Sequence, residues 1–290
     1  MDINLILQSL VSGLLMGGVF ALIAIGLTLI FGVMDIINFA HGEFVMLGMY
    51  FSYFLFGLVG IDPYVSILLG IPLFFLFGVL IQKALIERVM GARLQIQILL
   101  TLGLMLFLQN SALFLWGSDF RSIKVGYSLS TFNLGPILFS FPRFVAFIVA
   151  LAFVALLYIF LRKSDIGRAI RACAVEKDGA YLVGINVKRI FQLAFGIGIA
   201  CAGAAGSILL PFFYLSPEVG GVFVVNAFII VVLGGMGNFP GALVGGLIIG
   251  IAEAMGEAFL PGSLKQVVSF VIFILIMYFK PTGLMGGKNA

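Results

Sequence analysis

Leu5–Met34, LILQSLVSGLLMGGVFALIAIGLTLIFGVM, carries no charged side chain, and Asp35–Glu43, DIINFAHGE, interrupts it before a second apolar run opens at Phe44. Crossing a bilayer core takes about 20 apolar residues, with a range of about 17–25. The first run is therefore long enough to tilt or break within a membrane. It begins Met-Asp-Ile-Asn, with no basic n-region and no evident small-residue cleavage site, so it is expected to be a retained span and not a signal peptide.

Further charge-poor runs follow at Phe44–Ile61, Pro63–Gln82, Leu94–Ser118, Phe144–Leu161 and Ile190–Pro217. Val219–Ala252 is too long for one span and divides at Gly234–Pro240. Gln266–Phe279 is short and becomes adequate when Leu264 and Lys265 sit at the interface. The sequence predicts an all-α polytopic membrane protein of eight or nine transmembrane segments, some broken or re-entrant. Composition agrees: 62% of residues are hydrophobic and 10% charged, against about 25% charged in soluble domains. The mean hydropathy is +1.25. A soluble core of this chain length could not hide so much apolar surface.

The net charge of +4 does not point to nucleic acid, because seven of the sixteen Lys and Arg lie between Arg162 and Arg189. Such clustering marks a cytoplasmic loop. Counting spans from it places the N-terminus outside and the C-terminal tail, with Lys280 and Lys288, in the cytoplasm. Lys83, Arg88 and Arg93 fit the same side, whereas Arg121, Lys124 and Arg143 fall outside and blur the bias. Between them, Thr131–Leu134 and Ile137–Phe141 flank Gly135-Pro136 as a small hairpin. That loop fits a plain connector or a docking surface for an external partner.

Three segments carry polar chemistry. Asp35–Glu43 holds the only histidine and has no Lys or Arg, unlike an ordinary cytoplasmic turn. Backbone that leaves a helix at membrane depth must be buried in protein or line a water-filled cavity. Asn38, His41, Gly42 and Glu43 are thus candidates for a transport path, with Asn38 able to cap the next helix. A local interfacial turn is the other reading. One His and two acids do not make a metal ligand set. Leu233–Gly241 also breaks an apolar run and shares an Asn-Phe pair, suggesting an internal repeat; Gly235, Gly237 and Asn238 are path or gate candidates, or a tight turn. The third segment, 162–189, holds a short amphipathic helix opened by Ser164 or Asp165 and closed near Gly184, which either only sets topology or docks on a cytoplasmic motor. Cys173 and Cys201 are in different surroundings and no mutual disulfide is expected. Glu253 and Glu257 share a helix face near the outer membrane end, where an ion-coupled secondary transporter would want an acid, although the interface itself accounts for them.

Asp178-Gly179-Ala180-x-x-x-Gly184 resembles the Glu-Ala-Ala-x-x-x-Gly core of the cytoplasmic loop of ABC importer permeases. Gly167–Ala174, Gly184–Val187, Asn38–Glu43, Gly234–Pro240 and Lys280–Leu284 are similar to the branched-chain amino acid branch of that family, and the matches run over nearly the whole chain. The Ile-x-Leu-Pro tail of the general motif is missing after Gly184. The resemblance implies one permease domain over 1–290, with 162–189 as its coupling loop and Arg168, Arg171, Asp178, Gly179, Ala180 and Gly184 as ATPase-coupling residues. It implies a multi-pass inner-membrane subunit importing Leu, Ile or Val. Its partners would be a second related permease, two cytoplasmic ATPases, an extracytoplasmic amino-acid-binding protein and membrane lipid. Related permeases carry urea or short amides. The chain lacks a Gly-x-x-x-x-Gly-Lys-Ser/Thr loop, so ATP and Mg are expected on the ATPases and no cofactor on this chain.

Overall fold

The computed structural model describes residues 3–134, 137–260 and 265–286. In chain order, α1 (Ile3–Met34), α2 (His41–Val59) and α3 (Pro63–Ile81) come first, and α3 runs through a π-helical turn, Gln82–Ile86, into α4 (Glu87–Val89). After α5 (Leu94–Trp116), the hairpin β1 (Thr131–Leu134) and β2 (Ile137–Ser140) leads into α6 (Phe141–Lys163). Then come α7 (Asp165–Val175), α8 (Lys177–Leu182), α9 (Val187–Leu209), α10 (Val219–Gly234), α11 (Phe239–Phe259) and α12 (Lys265–Phe279). Among the described residues, seven helices are long and apolar enough to cross a membrane, and Val219–Gly234 and Gln266–Phe279 are shorter apolar helices. The protein is an all-α polytopic membrane protein. The hairpin pairs Thr131 with Ser140 and Leu134 with Ile137; Gly135-Pro136 lies outside the described residues, as does Leu264.

α1 is the central post. It is apolar all round, which suits a helix covered on every side. It packs against α6, α9, α10 and α11, and nearly all of its apolar stretch is buried. Most of α5, by contrast, is uncovered. In lipid, helices gain little by hiding apolar side chains from one another, so close backbone packing at small residues must hold them together. Glycine supplies it at several crossings. A Cβ on Gly17 of α1 would lie 2.9 Å from the Gly246 carbonyl oxygen of α11, and one on Gly26 would lie 2.7 Å from that of Gly198 in α9. On α3, a Cβ at Gly78 would lie 2.9 Å from the Gly196 Cα of α9.

The helix ends sort into two sets. At one end, Lys177 Nζ meets Asp35 Oδ2 at 2.5 Å and Lys188 Nζ meets Glu87 Oε1 at 3.1 Å. The segment after α12 returns to this end, where the Leu284 amide donates to the Leu233 carbonyl at 2.7 Å. We call this the basic end. At the opposite end Asp62 caps α3 through the Tyr64 amide at 2.9 Å and accepts from the Tyr127 hydroxyl at 2.6 Å. Burial, reinforced by that carboxylate, pushes the Tyr127 phenol up. The Arg121 and Leu215 backbones pair there as well.

Several boundaries differ from the sequence expectation. α2 begins at His41, so the first break is Asp35–Ala40 and not Asp35–Glu43. α9 stops at Leu209 and not near Pro217, because Pro211 has no amide hydrogen to continue the ladder. The loop expected to hold one amphipathic helix holds two. Glu176, in extended backbone, ends α7 by donating to the Ala172 carbonyl and starts α8 by accepting from the Ala180 amide, both at 3.1 Å.

Candidate functional site

Asp35 closes α1 with φ 55°, a left-handed conformation uncommon outside glycine, and this turns the chain back towards the bundle. The next residues form no regular element until a turn at Phe39–Ala40, and Ile36, Asn38 and Ala40 are buried. They end deep inside. His41 Nε2 lies 3.0 Å from the Ile23 carbonyl oxygen, roughly 16 Å along α1 from Met34 at about 1.5 Å per residue. The first break is therefore a re-entrant segment and not a turn at the interface. Protein covers it, as non-helical backbone at this depth requires. Thr101 of α5 supplies one partner, its hydroxyl donating to the Ile37 carbonyl at 2.9 Å.

Because α2 starts inside the bundle, its N-terminus meets another. Gly42 abuts Gly220 in the first turn of α10, with a Cβ there 2.9 Å from the Gly220 carbonyl carbon. A Cβ on Gly220 would in turn lie 2.6 Å from Glu43 Oε2. The Glu43 carboxylate thus sits by the first turns of two helices, where their dipoles favour negative charge. Asn38, His41 and Glu43 are all buried, as is Asn226 of α10. The carboxamides of Asn38 and Asn226 have no hydrogen-bond partner among the described residues. Asn38 does not cap α2; the cap position is Ala40, which has no side chain to do so. The lone polar residue in an apolar helix was the available sequence signal for Asn226.

The second break lies at the basic end. Gly235 and Gly237 have φ 101° and 79°, which lets the chain turn between α10 and α11. Asn238 caps α11, its Oδ1 accepting from the Gly241 amide at 2.8 Å, while its Nδ2 donates to the Met285 carbonyl at 2.8 Å. Both ends of that amide are committed to holding structure. The tail that Asn238 grips was not foreseen as part of this site, although Lys280–Leu284 stood out as a motif. Each break instead packs against a helix that borders the other. A Cβ on Gly32 would lie 2.8 Å from the Gly237 Cα, and the rings of Phe39 and Phe228 are 5.0 Å apart.

α7 and α8 cover the same end. Ser164 Oγ caps α7 by accepting from the Gly167 amide at 2.9 Å. Arg171 donates back to the Leu161 carbonyl, clamping α7 onto the end of α6, and Arg168 pairs with Asp165 on the exposed side. Asp178 is exposed, Gly179 half-buried and Ala180 buried, and Gly184 turns the chain after α8 with φ 85°. Cys173 faces inward from α7; burial pushes its thiol up, away from the thiolate that would make it reactive. A cavity of about 470 Å³ joins these parts, lined by Thr28 and Gly32 of α1, Arg162, Arg171, Gly237 and Asn238. The structure thus brings Arg171 together with Gly237 and Asn238. It keeps Asn38, His41, Gly42 and Glu43 deeper, and leaves Arg168, Asp178 and Gly184 outside that cavity. Asp35 and Lys177 connect the two levels.

Residues 9–277 match the family described as the permease component of branched-chain amino acid transport systems. The high-affinity branched-chain amino acid transport system permease protein BraD of Pseudomonas aeruginosa is 34% identical over 293 residues, covering 97% of this chain and 95% of BraD. LivH of Escherichia coli K12, a permease of the same description, is 36% identical over 297 residues with the same coverages. A probable LivH of Methanocaldococcus jannaschii is 32% identical over 287 residues, 91% of this chain and 88% of that protein. No solved structure matches. This chain belongs to the permease components of branched-chain amino acid transport systems and is a multi-pass protein of the inner membrane.

Proposed function

We propose that this chain is one half of the permeation core of an ATP-driven importer of leucine, isoleucine and valine, in which α7 and α8 receive the motion of a cytoplasmic ATPase. The basic end then faces the cytoplasm, as positively charged loops do, and the N-terminus lies outside. The observation that carries the reading is the re-entrant segment Asp35–Ala40. One end is tied to α8 by the 2.5 Å Asp35–Lys177 ion pair, and the other delivers Asn38 and His41 to the bundle interior. Displacing α8 would pull on a segment that reaches the mid-bundle polar groups. An exposed pair of this kind is worth only ~0–1 kcal/mol to stability, so its value lies in registering the two parts.

α7 and α8 also present what a partner would grip. Val175, Tyr181, Leu182 and Val183 are 73–85% exposed, around a groove of about 460 Å³ lined by Arg171, Gly179 and Ala180. Apolar residues at the centre of a polar surface are the usual anchors of an interface. ATP and Mg would be bound by two ATPase subunits. A second, related permease would complete the path, and an extracytoplasmic receptor would deliver the solute. The family description and the names of the relatives favour branched-chain amino acids over urea or short amides. Proteoliposomes holding the complete importer, its receptor and internal ATP should accumulate labelled leucine, with isoleucine and valine competing. Accumulation of urea or acetamide that excess leucine does not inhibit would overturn the substrate assignment.

A further inference from the structure

At the end opposite α7 and α8 lies a second cavity of about 470 Å³, between the first half of α1, the start of α6, the segment after α9 and the end of α11. α10, which contributes Val222 and Phe223 to its lining, is short. Its 16 residues span only about 24 Å, less than the ~30 Å of a bilayer core, and Phe223 near its start is a buried, apolar floor residue of the cavity. Phe20 and Phe223 at this floor are buried, as is Ser9. Charge of both signs surrounds the apolar floor. Arg143 stands on the α6 side, its guanidinium 5.9 Å from the Phe212 ring centre, and Glu253 and Glu257 stand on the α11 side, one turn apart. Glu253 is 9% exposed, whereas Arg143 and Glu257 are exposed at the rim.

We propose that this cavity is a receiving site for a zwitterionic amino acid: Arg143 takes the carboxylate, Glu253 and Glu257 take the ammonium, and the branched side chain rests on Phe20 and Phe223. The size lies within the roughly 300–1,000 Å³ of small-molecule pockets, which likewise combine apolar walls with a few polar groups that fix orientation. Guanidinium–carboxylate and ammonium–carboxylate hydrogen bonds are the strong, charge-assisted kind. A solute with a single charge would satisfy one wall and leave the other unmatched. Both carboxylates already interact with other groups in the protein, so the ligand ammonium joins existing contacts. The assignment rests on the reading of this chain as an amino-acid permease and adds to it the side groups that distinguish an amino acid from an amide or urea.

The test is binding of labelled leucine to the detergent-purified permease–ATPase complex without receptor, in the wild type, Arg143→Gln, Arg143→Lys, Glu253→Gln and Glu257→Gln. Arg143→Gln and the double variant Glu253→Gln/Glu257→Gln are expected to weaken leucine by about tenfold or more, the loss of one charge-assisted contact. Arg143→Lys should recover part of it. Leucinamide, lacking the carboxylate, should be indifferent to Arg143→Gln, and 4-methylpentanoate, lacking the ammonium, should be indifferent to the double glutamine variant. Since Glu257 is exposed, Glu257→Gln alone provides a folded variant in which leucine should still weaken. Wild-type leucine affinity in every variant, or equal losses for leucine, leucinamide and 4-methylpentanoate, would overturn the site. Displacement of leucine by short-chain phosphatidylethanolamine at lower concentration than by isoleucine would assign the cavity to a lipid headgroup and overturn it too. Leucine import by the wild-type complex with its receptor is measured alongside. If import persists while the site fails, only this inference falls; if import is absent, the transport reading fails.

Discussion

Replacing Gly250 with valine is expected to prevent a stable bundle from forming. A Cβ at this position would lie 2.5 Å from the Gly13 carbonyl oxygen and 2.6 Å from the Gly17 nitrogen, both backbone atoms of α1. No rotamer of a neighbour can relieve that, so α11 must move off the central helix. Overpacking in a well-packed core costs ~1–3 kcal/mol and occasionally more; a clash with backbone belongs at the upper end or beyond. Gly57, on the exposed part of α2, has nothing within 4 Å of its Cβ position, so Gly57→Val is the control. Size-exclusion profiles of the detergent-extracted variants should show Gly57→Val monodisperse and Gly250→Val aggregated or much less heat-resistant. Equal thermal midpoints would mean that α1 and α11 do not cross at these glycines.

Leu182→Asp is expected to have the second large effect, and one of a different kind. Leu182 is 83% exposed at the end of α8, so the fold should tolerate the change within about 0.5 kcal/mol. If the exposed apolar residues of α7 and α8 anchor an ATPase, a charge among them should remove a contact of about 2 kcal/mol or more, or roughly thirtyfold in affinity. Co-purification of the ATPase with the variant permease should fall by that order, while membrane insertion and melting stay at wild-type values. Undiminished ATPase recovery would place the motor elsewhere on this end.

Fold class was readable because membrane spans are set by length and by the absence of charge, both visible along the chain. Leu5–Met34 and Phe144–Leu161 needed no neighbour to be recognised. Other features depend on partners distant in sequence. Asp35–Ala40 contains enough polar groups to be a surface turn. What makes it re-entrant is the fit of His41 beside Ile23 and of Gly42 against Gly220, and neither pairing is written locally. Asn238 stood as a path or gate candidate or part of a tight turn, and which groups its amide would hold was not legible: it caps α11 and holds Met285, 47 residues away. The helix boundary at Glu176 left no local signature either. The cavity opposite α7 and α8 was hidden for the same reason: Arg143 read as noise in the charge bias, and the carboxylates at Glu253 and Glu257 as interfacial, until the fold lined one cavity with all three.

ATP dependence tests the central claim most directly. Leucine uptake is to be measured in proteoliposomes holding this chain and its sister permease, with receptor outside, and with or without the ATPase subunits. Accumulation should require the ATPase and hydrolysable ATP inside, and should vanish when either is withheld. Accumulation without the ATPase, driven by a proton or sodium gradient alone, would contradict it and make this bundle a secondary transporter.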